Sequence, residues 1–343
     1  MAHKLIDGHL DLAHNALEGR DPRMSLEELR RIPLLSGVPG HPPQTPSLTF
    51  AELQAAGVGV CFGTLFARKG GQWPLFPDGY TDAESARGDA LLSLDLYRRW
   101  EDEGLIRLLR DRTDMTTHLD ACEAGGELPI GVALLMEGAD PVRDADDLPF
   151  WVDQGVRMIG LAWRGTRYAG GTGEPGGLTD AGHELMQAMS DLDVTLDASH
   201  LDDAAFWEAL PYGTRLMATH ANARRFVARN RLLSDEMIQA IGKRGGVVGV
   251  VLANYFIQEG WQLGERGRLP LVALAEHIQY IAGLIGWERV ALGSDFDGGF
   301  GTEQLPAEID RYPDLHRLAE LLPAEHRAGF LWGNWERWLR ENY

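Results

Sequence analysis

The sequence predicts an α/β fold: a (β/α)8 TIM barrel forming one domain over residues 1–343, with additional C-terminal helices. Three observations carry that prediction. Short apolar runs alternate with helical stretches about eight times, the alternation of a parallel sheet with crossover helices. The 343 residues suit one large barrel, which exceeds ordinary domain size as a single unit, and no linker or internal repeat divides them. Metal-capable side chains stand at the C-terminal ends of several strands, where barrel enzymes assemble sites from residues distant in sequence.

The elements follow in order. The opening "KLI" reads as the end of a short buried strand, because apolar residues bounded by Asp and Gly fit that better than an amphipathic helix. The passage "IPLLSGVPGHPPQTPSLTF" is a long loop, since its prolines and glycines break both helix and strand. "GVGVCFGTLFA" is a strand, and "DAESARGDALLSLDLYRRWEDEG" a helix with acidic residues at its start. "IRLLRD", "LPIGVALLMEGAD" and "VRMIGLAW" are apolar runs, followed by the helix "LTDAGHELMQAMSDLD" with a Thr-Asp start signal. The strands "VTLDASH", "TRLMATH", "VVGVVLANYF" and "RVALGSDFDGG" then alternate with further helices, and "DLHRLAELLPAEHRAGFLWGNWERWLREN" supplies helices packed outside the barrel. Trp332, Trp335 and Trp338 fall at helical spacing and read as packing of the last helix.

Composition narrows the function. With 32 basic and 51 acidic residues the net charge is -19, which repels phosphate backbones and anionic lipid, so nucleic acid and membranes are not expected partners. Two cysteines, Cys61 and Cys122, make neither a disulfide framework nor a multi-thiolate metal site. No signal peptide is evident and no apolar run reaches membrane-spanning length, so a cytoplasmic protein is expected.

His9 and Asp11 follow the first strand, Glu137 ends "VALLME", and His200, His220 and Asp295 follow "VTLDAS", "RLMAT" and "VALGS". Each has a bland alternative as a cap or turn residue. Together, imidazoles and carboxylates without thiolates suit zinc or another first-row divalent metal in a catalytic site. They exceed the three protein ligands of a single catalytic zinc, which favours two ions per chain. Glu137 bridges one held by His9 and Asp11 to another held by His200 and His220. A hydroxide between the ions is then accessible near neutral pH, because metal binding lowers the pKa of water to about 7. Asp295 is the acid/base group, taking the proton from that water and delivering it to a leaving amine.

In this order "DGHLDL", "MEGAD", "SH", "THANAR" and "GSDFDGG" resemble the membrane (renal) dipeptidase family of the amidohydrolase superfamily, over nearly the whole chain. The resemblance implies a binuclear zinc barrel that hydrolyses dipeptides, with tolerance for a D-residue at the C-terminal side, and a tendency to form homodimers. It carries the ligand roles onto His9, Asp11, Glu137, His200 and His220, the acid/base role onto Asp295 and a substrate-carboxylate role onto Arg231, where Arg229 competes. Where the family has a histidine after the fifth strand this chain has Trp163, which donates one hydrogen bond but carries no charge. Arg164 and Arg167, in "WRGTRYAGG", are candidates to replace the missing contact, and Tyr255 joins them on the substrate side. An alternative keeps the metals and changes the bond: an amidase, deacylase or lactonase acting on N-acyl amino acids or related molecules. A third reading is a non-catalytic metal-binding protein, against which the intact Asp295 argues. His14 is a candidate partner of the first motif, and specificity is expected in the loop from Ile32 to Phe50 and in the segment from Arg164 to Pro175.

Overall fold

The computed structural model describes residues 5–32, 44–70, 79–264 and 269–343. Most of the predicted specificity loop from Ile32 to Phe50 therefore lies outside the described residues. The strands are β1 (Leu5–Leu10), β2 (Val58–Phe66), β3 (Ile106–Leu109), β4 (Ile130–Glu137), β5 (Val156–Gly160), β6 (Ala169–Gly171), β7 (Glu174–Leu178), β8 (Thr195–Asp197), β9 (Leu216–Met217), β10 (Val248–Val250) and β11 (Val290–Leu292).

A curled parallel sheet runs β1-β2-β4-β5-β8-β9. One edge of β4 is shared: β3 pairs with its first half, Ile130 to Ala133, and β5 takes over from Leu134. The run "IRLLRD" is thus a short strand beside the main path of the sheet rather than a member of it. β10 and β11 pair in parallel with each other. A single bridge, Ala218 with Val248, ties β9 to β10. At the other end the Asp295 N–H donates to the His9 carbonyl at 3.2 Å.

The buried carboxylate of Asp7 staples β1 to the segment after β11. It accepts the Ser294 N–H at 2.8 Å, the Ser294 hydroxyl, and the Tyr312 hydroxyl at 2.5 Å. Burial raises the Asp7 pKa, and these donors pull it back down.

Period-2 alternation divides the core. Cys61, Leu65, Val132, Leu134 and Met136 join the larger cluster, together with the apolar faces of the helices Ala83–Asp102, Asp180–Asp191, Asp235–Lys243 and Val272–Ile285. The alternate residues Val60, Phe62, Ala133 and Leu135 form a second cluster with Trp335 and Trp338 of the last helix, Asn334–Asn342. That helix is therefore not simply laid on the outside: the Trp335 indole donates to the Leu292 carbonyl at 2.7 Å. A Cβ on Gly8 would stand 2.8 Å from the Trp335 ring, so only glycine lets β1 pass. Thr64, Phe66 and Glu137 continue the same faces beyond this plug, so its far side is where functional groups emerge.

The helix starts follow the predicted chemistry: Asp82, Thr179 and Ser234 each accept a backbone N–H three residues on. The segment from Arg164 to Pro175 holds an element that periodicity missed, the antiparallel hairpin β6–β7, with Gly173 at φ +72° in its turn.

Candidate metal centre

β1 delivers His9 and Asp11, β4 ends on Glu137, and the turns after β8, β9 and β11 present His200, His220 and Asp295. His200 and Asp295 sit in the left-handed region, at φ 65° and 58°, a conformation that non-glycine residues hold only where the surroundings enforce it.

The imidazole Nε2 atoms converge on one carboxylate oxygen. Glu137 Oε1 lies 3.7 Å from His9, 3.2 Å from His200 and 3.5 Å from His220, and the Nε2 atoms of His200 and His220 are 3.0 Å apart. His9 Nε2 also lies 3.8 Å from Asp11 Oδ1 and has no hydrogen-bond partner although buried. An orphaned ring nitrogen in such a place fits a metal ligand. Among the described residues, three groups of side chains bring their donor atoms close enough together to hold an ion: His9, Asp197 and His220; Glu137, His200 and His220; His9, Asp11 and Asp295.

Hydroxyls set the tautomers. Thr219 Oγ1 donates its one proton to Asp197 Oδ2 at 2.6 Å and lies 3.2 Å from His9 Nδ1 and 2.9 Å from His220 Nδ1. With that proton spent, the oxygen receives both Nδ1–H groups, leaving both Nε2 lone pairs for the centre. Asp197 is fixed in turn by the N–H groups of Ser199 at 3.0 Å and Thr219 at 2.9 Å. Thr172, in the β6–β7 turn, stands 3.0 Å from His200 Nδ1, and the Thr64 hydroxyl donates to Asp11.

Burial dominates the titration. It pushes His9 down to about 3 and His200 and His220 well below their usual range, so the imidazoles are neutral, the ligating form. It pushes Asp11 up to about 6. Glu137 and Asp295 are raised well above ordinary carboxylates, first by burial and then by the Asp11 charge, while Arg231 opposes the rise in both.

A family model for membrane dipeptidases, peptidase family M19, matches residues 1–342. The chain belongs to the membrane dipeptidase family. It is accordingly an enzyme, a metal-dependent dipeptidase. It is 36% identical over 213 residues to an uncharacterised protein from the pqqA 5′ region of Klebsiella pneumoniae, covering 57% of this chain and 75% of that one. It is 32% identical over 149 residues to the dipeptidase aclJ of Aspergillus oryzae, covering 43% of this chain and 34% of that protein. An uncharacterised dipeptidase of Schizosaccharomyces pombe is also matched over less than half its length, 46%. Among solved structures, the metallopeptidase dipeptidase AC superposes with a TM-score of 0.80 at 23% identity, covering 100% of this chain and 99% of that one. A Rhodobacter sphaeroides metallopeptidase carrying a phosphinate mimic of L-Ala-D-Ala gives 0.76 at 23% identity over 100% of both chains. At such identities the likeness concerns the fold.

Above the centre this dipeptidase has a cavity of about 720 Å³, whose lining includes Asp11, Glu137, His200, Asp295, Trp163 and Tyr255. His9, His220 and Arg231 are not in the lining. Arg231 is 3% exposed, donates through Nη2 to the His220 carbonyl at 2.8 Å, and leaves Nε and Nη1 without partners. Its charge acts on Asp295, Glu137 and Tyr255. Arg164 lines the cavity, 3.5 Å from Glu174, whereas Arg167 does not line it and grips Asp140 and nearby carbonyls. His14 also lines the cavity.

Sequence reasoning missed Asp197, Thr219, Thr172 and Thr64. The first two stand inside "LDASH" and "ATH", beside histidines already singled out. A hydroxyl or carboxylate flanking a ligand is the signal that would have found them.

Proposed function

We propose that this dipeptidase works with two divalent ions, zinc by the character of the donor set, held by His9 and Asp11 on one side, His200 and His220 on the other, and Glu137 between. What supports the reading is the convergence of three imidazole Nε2 atoms on Glu137 Oε1 within 3.7 Å, with two of the three tautomers set by Thr219. Such ions, when bound, polarise the scissile carbonyl and acidify water. The chain's own residues do the rest. Asp295, whose carboxyl burial raises well above the ordinary range, takes the proton of the attacking water and passes it to the departing amine. Arg231 does not line the cavity but holds its guanidinium 5.0 Å over the ring of Phe256, which does, and its two unused N–H groups are assigned to the substrate's terminal carboxylate; Tyr255 lines the cavity. Exclusion of water strengthens each of these charges.

The same proposal closes the fold: β1, β2, β4, β5, β8, β9, β10 and β11 make one eight-stranded barrel, with β3 outside the circuit. A cytoplasmic location fits the two buried free thiols, Cys61 and Cys122. A second reading, cleavage of N-acyl amino acids, is favoured by Trp163, because an uncharged indole on the cavity wall suits an acyl group that carries no amine.

The test is metal content together with hydrolysis of L-L and L-D dipeptides by the wild type and Asp295→Asn. About two ions per chain, and cleavage that collapses in the variant while metal stays bound, are expected. Cleavage indifferent to Asp295 refutes the acid/base role, and activity confined to N-acyl amino acids selects the second reading.

A further inference from the structure

Three rings line the cavity side by side. His14 meets Phe66 edge-on at 4.9 Å between centroids, Phe66 meets Trp163 at 5.2 Å, and Trp163 stands 6.0 Å from His200. The arc follows the strand order, from the helix after β1 through the ends of β2 and β5 to the turn after β8. The groups assigned to the substrate carboxylate and the leaving amine occupy the opposite arc. Arg231 follows β9, Tyr255 follows β10 and Asp295 follows β11.

A dipeptide is short: its two Cα atoms are about 3.8 Å apart across the trans bond. With its carboxylate at Arg231 and its amide over Glu137, only the first residue extends toward β2 and β5. Two of the charged pairs beside the arc are engaged internally, Arg68 with Glu18 at 3.1 Å and Arg164 with Glu174 at 3.5 Å, while Lys69 also lines the cavity. The rings are thus the surface that side chain meets, and Trp163 offers a large apolar face with a single donor.

We propose that the His14–Phe66–Trp163 arc seats the side chain of the substrate's first residue, so that this enzyme prefers dipeptides beginning with an aromatic or bulky apolar residue. The inference rests on the orientation given under Proposed function, and its test separates the two. In the zinc-loaded Asp295→Asn variant, which retains the cavity but not the acid/base group, binding of L-Phe-L-Ala, L-Ala-L-Phe and L-Ala-L-Ala is measured by calorimetry. In the wild type, kcat/KM is measured for the same three peptides.

L-Phe-L-Ala is expected to bind and turn over about 10-fold or more better than L-Ala-L-Ala, the scale of apolar pocket discrimination. Adding Trp163→Ala or Trp163→His is expected to cut that ratio several-fold. Equal binding of the three peptides, preference for L-Ala-L-Phe, or a ratio unmoved by both Trp163 substitutions overturns the proposal. A binding preference that disappears with Trp163, in a wild type that cleaves none of the peptides, upholds the aromatic seat and refutes dipeptide hydrolysis alone.

Discussion

Arg231, in the connection between β9 and β10, and Arg167, just ahead of the β6–β7 hairpin, carry the same side chain and are employed in opposite ways. Arg167 is 41% exposed at its side chain, yet its guanidinium reaches Asp140 Oδ1 at 3.3 Å and the carbonyls of Val142 at 2.8 Å, Arg143 at 3.0 Å and Asp140 at 3.2 Å. Arg231 is almost wholly buried and makes one such bond, with two donor nitrogens idle. Saturated donors on an exposed arginine hold backbone in place. Empty donors on a buried one are a reserve for something that arrives, since an unmet buried donor costs about 1–3 kcal/mol. The two arginines thus differ in whether their donors are already used, which separates scaffold from binding group.

The sharpest way to break the contrast is Arg231→Met. It is expected to lower kcat/KM for dipeptides by about 10³-fold, because a site built to hydrogen-bond a polar group loses heavily when the pair is broken. Stability should hold or rise, since the change removes a buried cation with unmet donors. Steady-state kinetics with urea unfolding checks both, and a variant that keeps near-normal kcat/KM ends the reserve interpretation.

The flanking hydroxyls come next. Thr219 serves two imidazoles and Thr172 one, so Thr219→Val should weaken metal affinity by about 10–100-fold and Thr172→Val by less. Competition with a chromogenic chelator ranks them, and equal losses would mean that tautomer control is not what Thr219 provides. Arg167→Ala should cost about 1–2 kcal/mol of stability in denaturant while leaving kcat/KM within about twofold. A large kinetic loss there would move Arg167 into the binding machinery.

The smallest effect concerns pH. His277 supports the Arg231 connection, with Nδ1 accepting the Ala223 N–H at 3.3 Å and Nε2 donating to the Ile257 carbonyl at 2.9 Å. Burial lowers its pKa from 6.5 to about 4. Between those values the unfolded chain binds a proton that the folded chain does not, so stability falls as pH drops through that window, by up to about 1.4 kcal/mol per unit. His277→Gln should remove that part of the slope in unfolding curves recorded across the window; an unchanged slope would assign it elsewhere.

The curled parallel sheet was legible because alternating runs of strand and helix leave few other arrangements. That the six candidate residues would converge was legible because each stands at or just beyond the end of a recognisable strand. Thr219 and Asp197 were not, since threonine and aspartate are ordinary in turns and only their shared contact reveals the tautomer control. The β6–β7 hairpin hid behind "AGGTGEPGG", where glycine leaves too few side chains to show a period of two. That Trp335 packs was legible, but its neighbours were not: helical spacing reports which face of a helix is apolar, not which cluster that face enters.

The Asp7 staple has a consequence for how the enzyme is made. Asp7 and Ser294 lie 287 positions apart, so the two strands flanking Asp11 and Asp295 meet only after the ribosome has delivered nearly everything between them. Contacts of such long separation form slowly. His9 and Asp11 therefore emerge early as isolated polar side chains, and a nascent chain stalled before Ser294 carries the three further candidate ligands Glu137, His200 and His220 without Asp295, the carboxylate proposed to move the proton. A half-made copy therefore lacks the junction that brings Asp295 to His9 and Asp11, and with it part of the candidate centre.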